Sequence, residues 1–176
     1  MAFLAKMAGL PARADARQCQ SMEMNYWLIK SEPDAFSIDD LKNAPGKKDH
    51  WDGIRNYQAR NFIRDDMQKG DLAFFYHSSC KTPGIVGICE VVSGSYPDFT
   101  AFDPNQKYYD PKSDPENPRW MMVDVKYRRK TKRLIGLAEI KEYADHLGSF
   151  PLIRRGNRLS IMPVSKEHWD FILSLE

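Results

Sequence analysis

Residues 26–33 run YWLIKSEP, and this stretch begins the fold. Its aromatic and β-branched first half predicts a strand. Pro33 marks the end of that strand, because a proline has no N–H to donate to a strand ladder. Working outward along the chain, similar apolar or alternating runs predict further strands over residues 72–77, 85–92, 121–127 and 159–164.

Helical patterns are fewer and lie between these strands. Ser37 and Asp40 have the spacing of a capping box and predict a short helix that ends at Pro45. Apolar spacing predicts helices over residues 56–68 and 137–147, and Ser165 is placed to cap a last one. Strands outnumber helices and do not alternate regularly with them, which predicts an α+β fold built on a curled sheet or a small barrel.

The domain organisation follows from length and from a change in composition near residue 24. The chain has 176 residues, the size of one ordinary domain, and no repeat or linker follows Met24. Residues 1–21 are rich in Ala and Arg and contain one acid, Asp15. We expect residues 1–23 to be a disordered or mis-started leader and residues 24–176 to be one domain. A mitochondrial-type presequence is the alternative for the leader.

Composition excludes several classes of protein. A net charge of +2 with 42% hydrophobic residues is typical of a globular chain rather than a disordered one. No apolar run approaches the roughly 18 residues that a membrane helix needs. Three cysteines and four scattered histidines fit neither a disulfide framework nor a zinc site. We expect no membrane partner, no metal and no cofactor, and a monomer in the cytoplasm or, in a eukaryote, the nucleus or an organelle.

Two weaker candidate sites have simpler explanations. Cys80 follows His77 by three residues, but a cysteine nucleophile also needs a base within reach and an oxyanion site. A loop cysteine without a catalytic role is the favoured interpretation. The proline-rich segment 94–119 carries acids that lack the spacing of a calcium loop: Asp98, Asp103, Asp110, Asp114 and Glu116. Aspartate beside proline is a natural turn former, so turn chemistry is favoured there.

The most strongly charged stretch is the basic cluster at residues 128–133. It holds five cations in six residues, namely Arg128, Arg129, Lys130, Lys132 and Arg133. Such a cluster can neutralise phosphates and release counterions from nucleic acid. It is equally typical of a solvated turn between a strand and a helix, and the sequence leaves both interpretations open.

The most unusual segment, residues 50–61, runs HWDGIRNYQARN. We expect it to begin in a loop, where Trp51 offers a ring face at a pocket and Arg55 and Asn56 bring hydrogen-bonding groups beside that ring. A flat heterocycle is recognised by this pairing of stacking on its faces and hydrogen bonds along its edge. The alternative is that Trp51 belongs to the core and that Asn56 is only a helix N-cap.

Several ordered motifs together resemble the EVE domain family. They are WLIKSEP at residues 27–33, WDGIRNYQARN at 51–61, FFYHS at 74–78, YPD at 96–98, YDP at 109–111, PRW at 118–120 and RLS at 158–160. The resemblance spans residues 24–176. It implies a PUA-like fold, which is a small mixed β-barrel with flanking helices. It also implies binding of modified bases, chiefly modified cytosines, in DNA or RNA.

The resemblance also implies which residues bind the base. They belong to the matched motifs: Lys30, Ser31, Trp51, Asp52, Arg55, Asn56, His77, Ser78, Arg158 and Ser160. The predicted mechanism is extrusion of the modified base from its stack and stacking on an exposed Trp51. Ser31, Asn56 and Ser78 would then read the edge of the base, and the basic cluster would attract the nucleic-acid backbone. Binding of this kind needs no catalytic residue.

Two other functions stay open. ASCH domains of the PUA-like superfamily resemble EVE domains, and some hydrolyse modified cytidines. Lys30, Ser31 and Glu32 lie close together in sequence and can supply a nucleophile and acid–base groups for such a reaction. The third possibility is a protein-interaction module that uses the proline-rich segment 97–118 as its surface.

Overall fold

The computed structural model describes residues 24–176, so the predicted leader at residues 1–23 lies outside it. Strands and short helices follow one another irregularly, which confirms the α+β class. The strands are β1 (Tyr26–Ser31), β2 (Lys48–Trp51), β3 (Leu72–His77), β4 (Gly84–Val91), β5 (Tyr96–Pro97), β6 (Met121–Gly136) and β7 (Ile161–Val164). The α-helices are α1 (Ile38–Asn43), α2 (Tyr57–Asn61), α3 (Leu137–Glu142), α4 (Ala144–Leu147) and α5 (Lys166–Ser174). A π-helical turn over Phe62–Asp66 continues α2.

The strands form one mixed sheet. Its hydrogen-bonded order is β2-β6-β4-β3-β1-β7, and the short strand β5 pairs with β6. β1 and β3 are parallel, with Ile29 opposite Phe75, and the other pairs are antiparallel. No ladder joins β2 to β7 within residues 24–176, so the sheet is not closed. The α+β prediction therefore holds at the level of class, and the PUA-like barrel is not confirmed.

The central strands are buried on both faces of the sheet. Trp27 and Ile29 of β1 face one hydrophobic cluster, to which α1 contributes Leu41. Leu28 faces a second cluster, to which α5 contributes Trp169. This alternation follows from the two-residue period of a strand, and burial on both faces is why β1 and β3 are continuous apolar runs.

Two predicted helix starts are confirmed. Ser37 caps α1 in a reciprocal capping box with Asp40, and the Ser165 side chain accepts the backbone N–H of His168 at the start of α5. The predicted helix over residues 137–147 is instead two short helices that meet at Tyr143. Strand β2 was not predicted, because its sequence KDHW has no apolar alternation.

Candidate functional site

A cavity of about 730 Å³ lies where several strands end. β1 and β3 are parallel, so both finish at the same edge of the sheet, and antiparallel β7 starts there. Backbone bonds tie these ends together. Lys30 N–H donates to the carbonyl of Ser160 at 2.8 Å, and Ser78 N–H donates to the carbonyl of Ser31 at 2.8 Å. The end of β2 brings Trp51 to the same cavity. Its volume is within the range of about 300–1,000 Å³ that is typical of small-molecule sites.

Seven of the ten expected base-binding residues line this cavity. They are Lys30, Ser31, Trp51, Asp52, Ser78, Arg158 and Ser160. These residues come from four separate parts of the chain, and the strand ends bring them together. The other three, Arg55, Asn56 and His77, are not among the lining residues.

The exposed indole expected at Trp51 is not found. Trp51 is the last residue of β2 rather than a loop residue, and only 6% of it is exposed. Its ring packs edge-on against Phe75, with centroids 5.4 Å apart, and against Phe36 at 6.3 Å. The indole therefore belongs to the hydrophobic core and at the same time forms part of the cavity wall.

Asn56 and His77 bond to the protein itself. The Asn56 side chain accepts the backbone N–H of Ala59 at 3.0 Å and so caps α2, which is the alternative that the sequence left open. His77 Nε2 accepts the backbone N–H of Ile38 at 3.1 Å. Burial lowers the pKa of His77, which favours the neutral imidazole that this acceptor role requires.

Arg55 joins the segment after β2 to the proline-rich segment. Its Nη1 donates to Asp98 Oδ2 at 2.7 Å, and its Nε donates to the backbone carbonyl of Tyr108 at 2.9 Å. The carboxylate of Asp98 is fully buried and also accepts from the backbone N–H groups of Gly53 and Thr100. Arg55 thus fixes the backbone of Tyr108, which lines the cavity, relative to the segment after β2.

Tyr108 is a wall residue that the sequence did not predict. It lines the cavity together with Lys107, although both lie more than fifty residues after Trp51. Its ring lies against Gly53, where a Cβ would come within 2.5 Å of Tyr108 Cε2. The motif YDP at residues 109–111 was noted in the sequence, but nothing local indicated that this segment folds back onto Gly53.

Two titratable groups of the cavity have shifted pKa values. Burial lowers the pKa of Lys30, which lies half-buried at the end of β1. Burial also raises the pKa of Asp52, with nearby Asp98 adding to the rise and His50 opposing it. In both groups the charged form has lost part of its hydration. Perturbed titratable groups in a cleft are typical of functional sites.

The basic cluster lies within strand β6 and not in a turn. Four of its cations form ion pairs: Arg128 with Glu90, Arg129 with Glu176, Lys130 with Asp39 and Arg133 with Glu139. Lys132 is exposed and has no ion-pair partner among residues 24–176. In the sheet register Lys130 lies opposite Gly87, which lies opposite Phe75. Lys130 therefore lies level with the interior of β3, two residues before the end of that strand at His77.

The turn interpretation of the proline-rich segment is confirmed. Asp103, Asp110 and Asp114 each accept the backbone N–H of the residue two positions later, as aspartate does in turns. No group of three or more potential metal ligands occurs in the described part of the chain. Cys80 Sγ lies 3.9 Å from the carbonyl oxygen of His77, and the Nε2 of that histidine is already bonded to Ile38.

The fold and cavity define an α+β protein with a concave site of mixed apolar and polar lining at its strand ends. The family model of the EVE domain matches residues 25–175, and the chain belongs to this family. Thymocyte nuclear protein 1 of Homo sapiens is 47% identical over an alignment 176 positions long, which covers 91% of this chain and 77% of that protein. In residues 24–176 no helix has the length and apolar character to cross a membrane.

Solved structures support the same assignment. A protein from Pseudomonas syringae is 50% identical, with a TM-score of 0.81 over 85% of this chain and 98% of that one. The human THYN1 protein, solved in complex with 5-methylcytosine-containing DNA, is 48% identical, with a TM-score of 0.79 over 86% of this chain and 96% of that one. The resemblance seen in the sequence is thereby confirmed.

Proposed function

We propose that this protein binds nucleic acid that carries a modified cytosine and holds the extruded base in the cavity at the strand ends. The observation that carries the proposal is the cavity itself, which combines the indole of Trp51 and the ring of Tyr108 with the polar groups of Asp52 and Ser78. The human relative in complex with 5-methylcytosine-containing DNA supports both the partner and the type of base.

Aromatic walls supply the affinity for a flat ligand. Extrusion of a base costs a few kcal/mol of lost stacking and pairing. Contact with an aromatic ring returns about 1–3 kcal/mol per base. Trp51 is fixed by its packing against Phe75, and Tyr108 is fixed by Gly53 and by the Arg55 bond to its carbonyl. Rings held in this way lose little conformational freedom when the base enters.

Hydrogen bonds along the base edge supply the selectivity. A carboxylate is the usual acceptor for the exocyclic amino group of cytosine, and Asp52 supplies a half-buried carboxyl to this cavity. Ser31 and Ser78, at neighbouring strand ends, bring hydroxyls to the lining of the same cavity. The Asn56 side chain, expected to read the edge as well, caps α2 instead, and Asp52 is the side chain that binds the amino group.

The experiment measures binding of duplex and single-stranded oligonucleotides with one 5-methylcytosine against the same oligonucleotides with cytosine. RNA strands form a parallel arm. We expect tighter binding of the methylated strand and loss of this selectivity in Trp51→Ala. Because Trp51 is a core residue, removal of its ring costs about 3–5 kcal/mol of stability. Trp51→Phe therefore serves as the milder variant, and both are compared at a temperature where circular dichroism shows folded protein.

Trp169→Phe is the matched control for these variants. Trp169 is 4% exposed and stacks on Phe74 with centroids 3.9 Å apart, in the cluster on the other face of the sheet. Its truncation lowers stability without touching the cavity, so its selectivity should equal that of the wild type. Equal affinity for methylated and unmethylated strands in the wild-type protein would contradict the proposal.

Hydrolysis of modified cytidines is the second candidate function. The observation that favours it is the presence of two perturbed groups, Lys30 and Asp52, in one cavity. A lysine with a lowered pKa can serve as a general base, and a carboxyl with a raised pKa can serve as an acid. Incubation with acylated and methylated cytidines, followed by product analysis, tests this function. Turnover that disappears in Lys30→Ala would establish it and replace the binding role.

A further inference from the structure

Phe99 is an exposed aromatic residue on a rigid base. It is 53% exposed, whereas its neighbours Asp98 and Thr100 are 0% and 3% exposed. The Asp98 carboxylate accepts from the backbone N–H of Thr100 at 2.9 Å and from its hydroxyl at 2.5 Å, and so caps the short 3₁₀ turn over Phe99–Ala101. Gly53 and Arg55 anchor the same carboxylate. The backbone that carries the Phe99 ring is therefore held from both sides.

The Phe99 ring packs next to His50, a residue that lines the cavity. Its centroid lies 5.3 Å from that of His50, and the two ring planes are inclined by 55°. His50 is itself a lining residue and directly precedes Trp51. Its side chain is 40% exposed, and Asp49 Oδ1 lies 3.0 Å from its Nδ1. Phe99 and His50 thus form a pair of partly exposed rings, and one of the two, His50, lines the cavity.

From this arrangement we infer that Phe99 and His50 form a second stacking site, which takes the nucleobase next to the modified one. The inference rests on the proposed function, because a base bound in the cavity would bring its neighbour close to these two rings. The covalent link to the bound base gives that neighbour a high effective concentration at the Phe99 ring. Phe99 has no acceptor or donor to read a base edge, so its ring accepts any base by its flat face.

The first test compares variants at Phe99. Phe99→Ala should weaken binding of a methylated trinucleotide about tenfold, which corresponds to about 1.4 kcal/mol. Phe99→Leu keeps an apolar side chain but no ring, and should lose nearly as much, whereas Phe99→Trp should retain affinity. The control is Tyr143→Ala, because Tyr143 is 39% exposed and packs against Phe171, away from the cavity lining. A Phe99→Ala variant that binds as tightly as the Tyr143→Ala control would overturn the inference.

A thermodynamic cycle makes the test specific for the flanking base. An abasic residue replaces the nucleotide 5′ or, separately, 3′ of 5-methylcytosine, and each strand is measured with wild type and Phe99→Ala. On one of the two sides, the abasic residue and Phe99→Ala should each cost about tenfold alone and no more than that together, because both remove the same contact. If the loss from the abasic residue and the loss from Phe99→Ala multiply for the 5′ strand and for the 3′ strand alike, the Phe99 ring contacts neither neighbouring base.

The free nucleoside separates this inference from the proposed function. 5-Methyl-2′-deoxycytidine fills the cavity without a neighbouring base, so Phe99→Ala should bind it as wild type does. Normal nucleoside binding with no effect of Phe99→Ala on the trinucleotide would overturn the second stacking site alone. Absence of selectivity for the methylated nucleoside and the methylated trinucleotide in the wild type would overturn both proposals.

Discussion

Tyr108 lies so close to Gly53 that no side chain fits between them. A Cβ at Gly53 would come within 2.5 Å of Tyr108 Cε2, and the φ of Gly53 is +73°, in the left-handed region. Arg55 fixes the Tyr108 backbone from the other side through its carbonyl. The glycine therefore allows the proline-rich segment to form one wall of the cavity.

Gly53→Ala should displace Tyr108 and weaken binding of methylated oligonucleotides about tenfold or more. Part of its effect is backbone strain, which costs roughly 1–2 kcal/mol for a side chain in the left-handed region. Gly46→Ala is the matched control, because Gly46 has a φ of +65° and a Cβ there would meet no heavy atom within 4 Å. Unfolding in urea should show the strain in both variants and a larger loss of stability in Gly53→Ala, whose Cβ also meets Tyr108. Oligonucleotide titration should show a loss of binding only in Gly53→Ala. Equal binding by the two variants would contradict the wall role of Tyr108.

The sequence predicted the central strands and the helix caps well, because local rules decide both. The apolar run of β3 and the capping box of Ser37 and Asp40 are visible without tertiary information. β2 escaped prediction, since its KDHW sequence forms a strand only by pairing with β6. The basic cluster also escaped prediction as part of a strand. Its polar residues continue β6 only because they pair with β4.

The site was predictable only where its residues belong to elements that the sequence itself predicts. Motif residues at strand ends, such as Ser31 and Ser78, meet at the cavity because parallel strands finish at one edge. Arg55 and Asn56 follow the cavity-lining residues 51–54 in sequence, but their side chains bind elsewhere. Arg55 bonds to the distant Asp98, and Asn56 bonds to the nearby backbone of Ala59. Tyr108 could not be found from sequence, because its position depends on the long-range bond between Arg55 and its carbonyl.

Asp98→Asn should destabilise the protein by about 3 kcal/mol, because it leaves Arg55 without its buried partner. Burial opposes ionisation of Asp98, but hydrogen bonds from Thr100 and Arg55 outweigh it and keep the pKa of the carboxyl below its usual value. A lowered pKa gives stability that is complete above the unfolded value of about 3.9 and is lost as pH falls through the folded pKa. The difference between wild type and variant in urea unfolding should therefore be constant from pH 5 to 7 and shrink below pH 4.

Asp103→Asn is the control for this measurement. Asp103 is only partly buried and accepts from Asn105 and Gln106 in a surface turn, so its replacement should change the free energy of unfolding by no more than about 0.5 kcal/mol. An Asp98→Asn variant as stable as Asp103→Asn at pH 7 would show that the buried pair does not hold the cavity wall.

Lys30→Met should stabilise the protein and weaken its binding to nucleic acid. Burial lowers the pKa of Lys30 below 10.5, so at neutral pH the folded state carries a charge that it disfavours. Removal of that charge should raise the free energy of unfolding by about 0.5 kcal/mol. The gain should fade as pH rises through the folded pKa, because wild-type Lys30 then becomes neutral in the folded protein.

Lys166→Met is the control for Lys30→Met. Lys166 is exposed, and the hydrogen bond to Asp170 raises its pKa, so removal of its charge should not stabilise the protein at pH 7. Thermal unfolding between pH 7 and 10 measures the two variants side by side. A Lys30→Met variant that is less stable than wild type at pH 7 would mean that the lysine charge is compensated in the fold and is not held there for a ligand.

Lys132→Ala should weaken binding to methylated and unmethylated DNA by the same factor. Lys132 is the cation of the basic cluster without an ion-pair partner in residues 24–176, whereas Arg133 is held by Glu139. A cation that contacts a phosphate adds about one to the slope of log affinity against log salt concentration, so the variant should lose about one from that slope. Lys69→Ala is the control, since Lys69 is exposed and precedes β3 at the end opposite to the cavity. A salt slope unchanged in Lys132→Ala, or changed equally in Lys69→Ala, would remove the basic cluster from the binding surface.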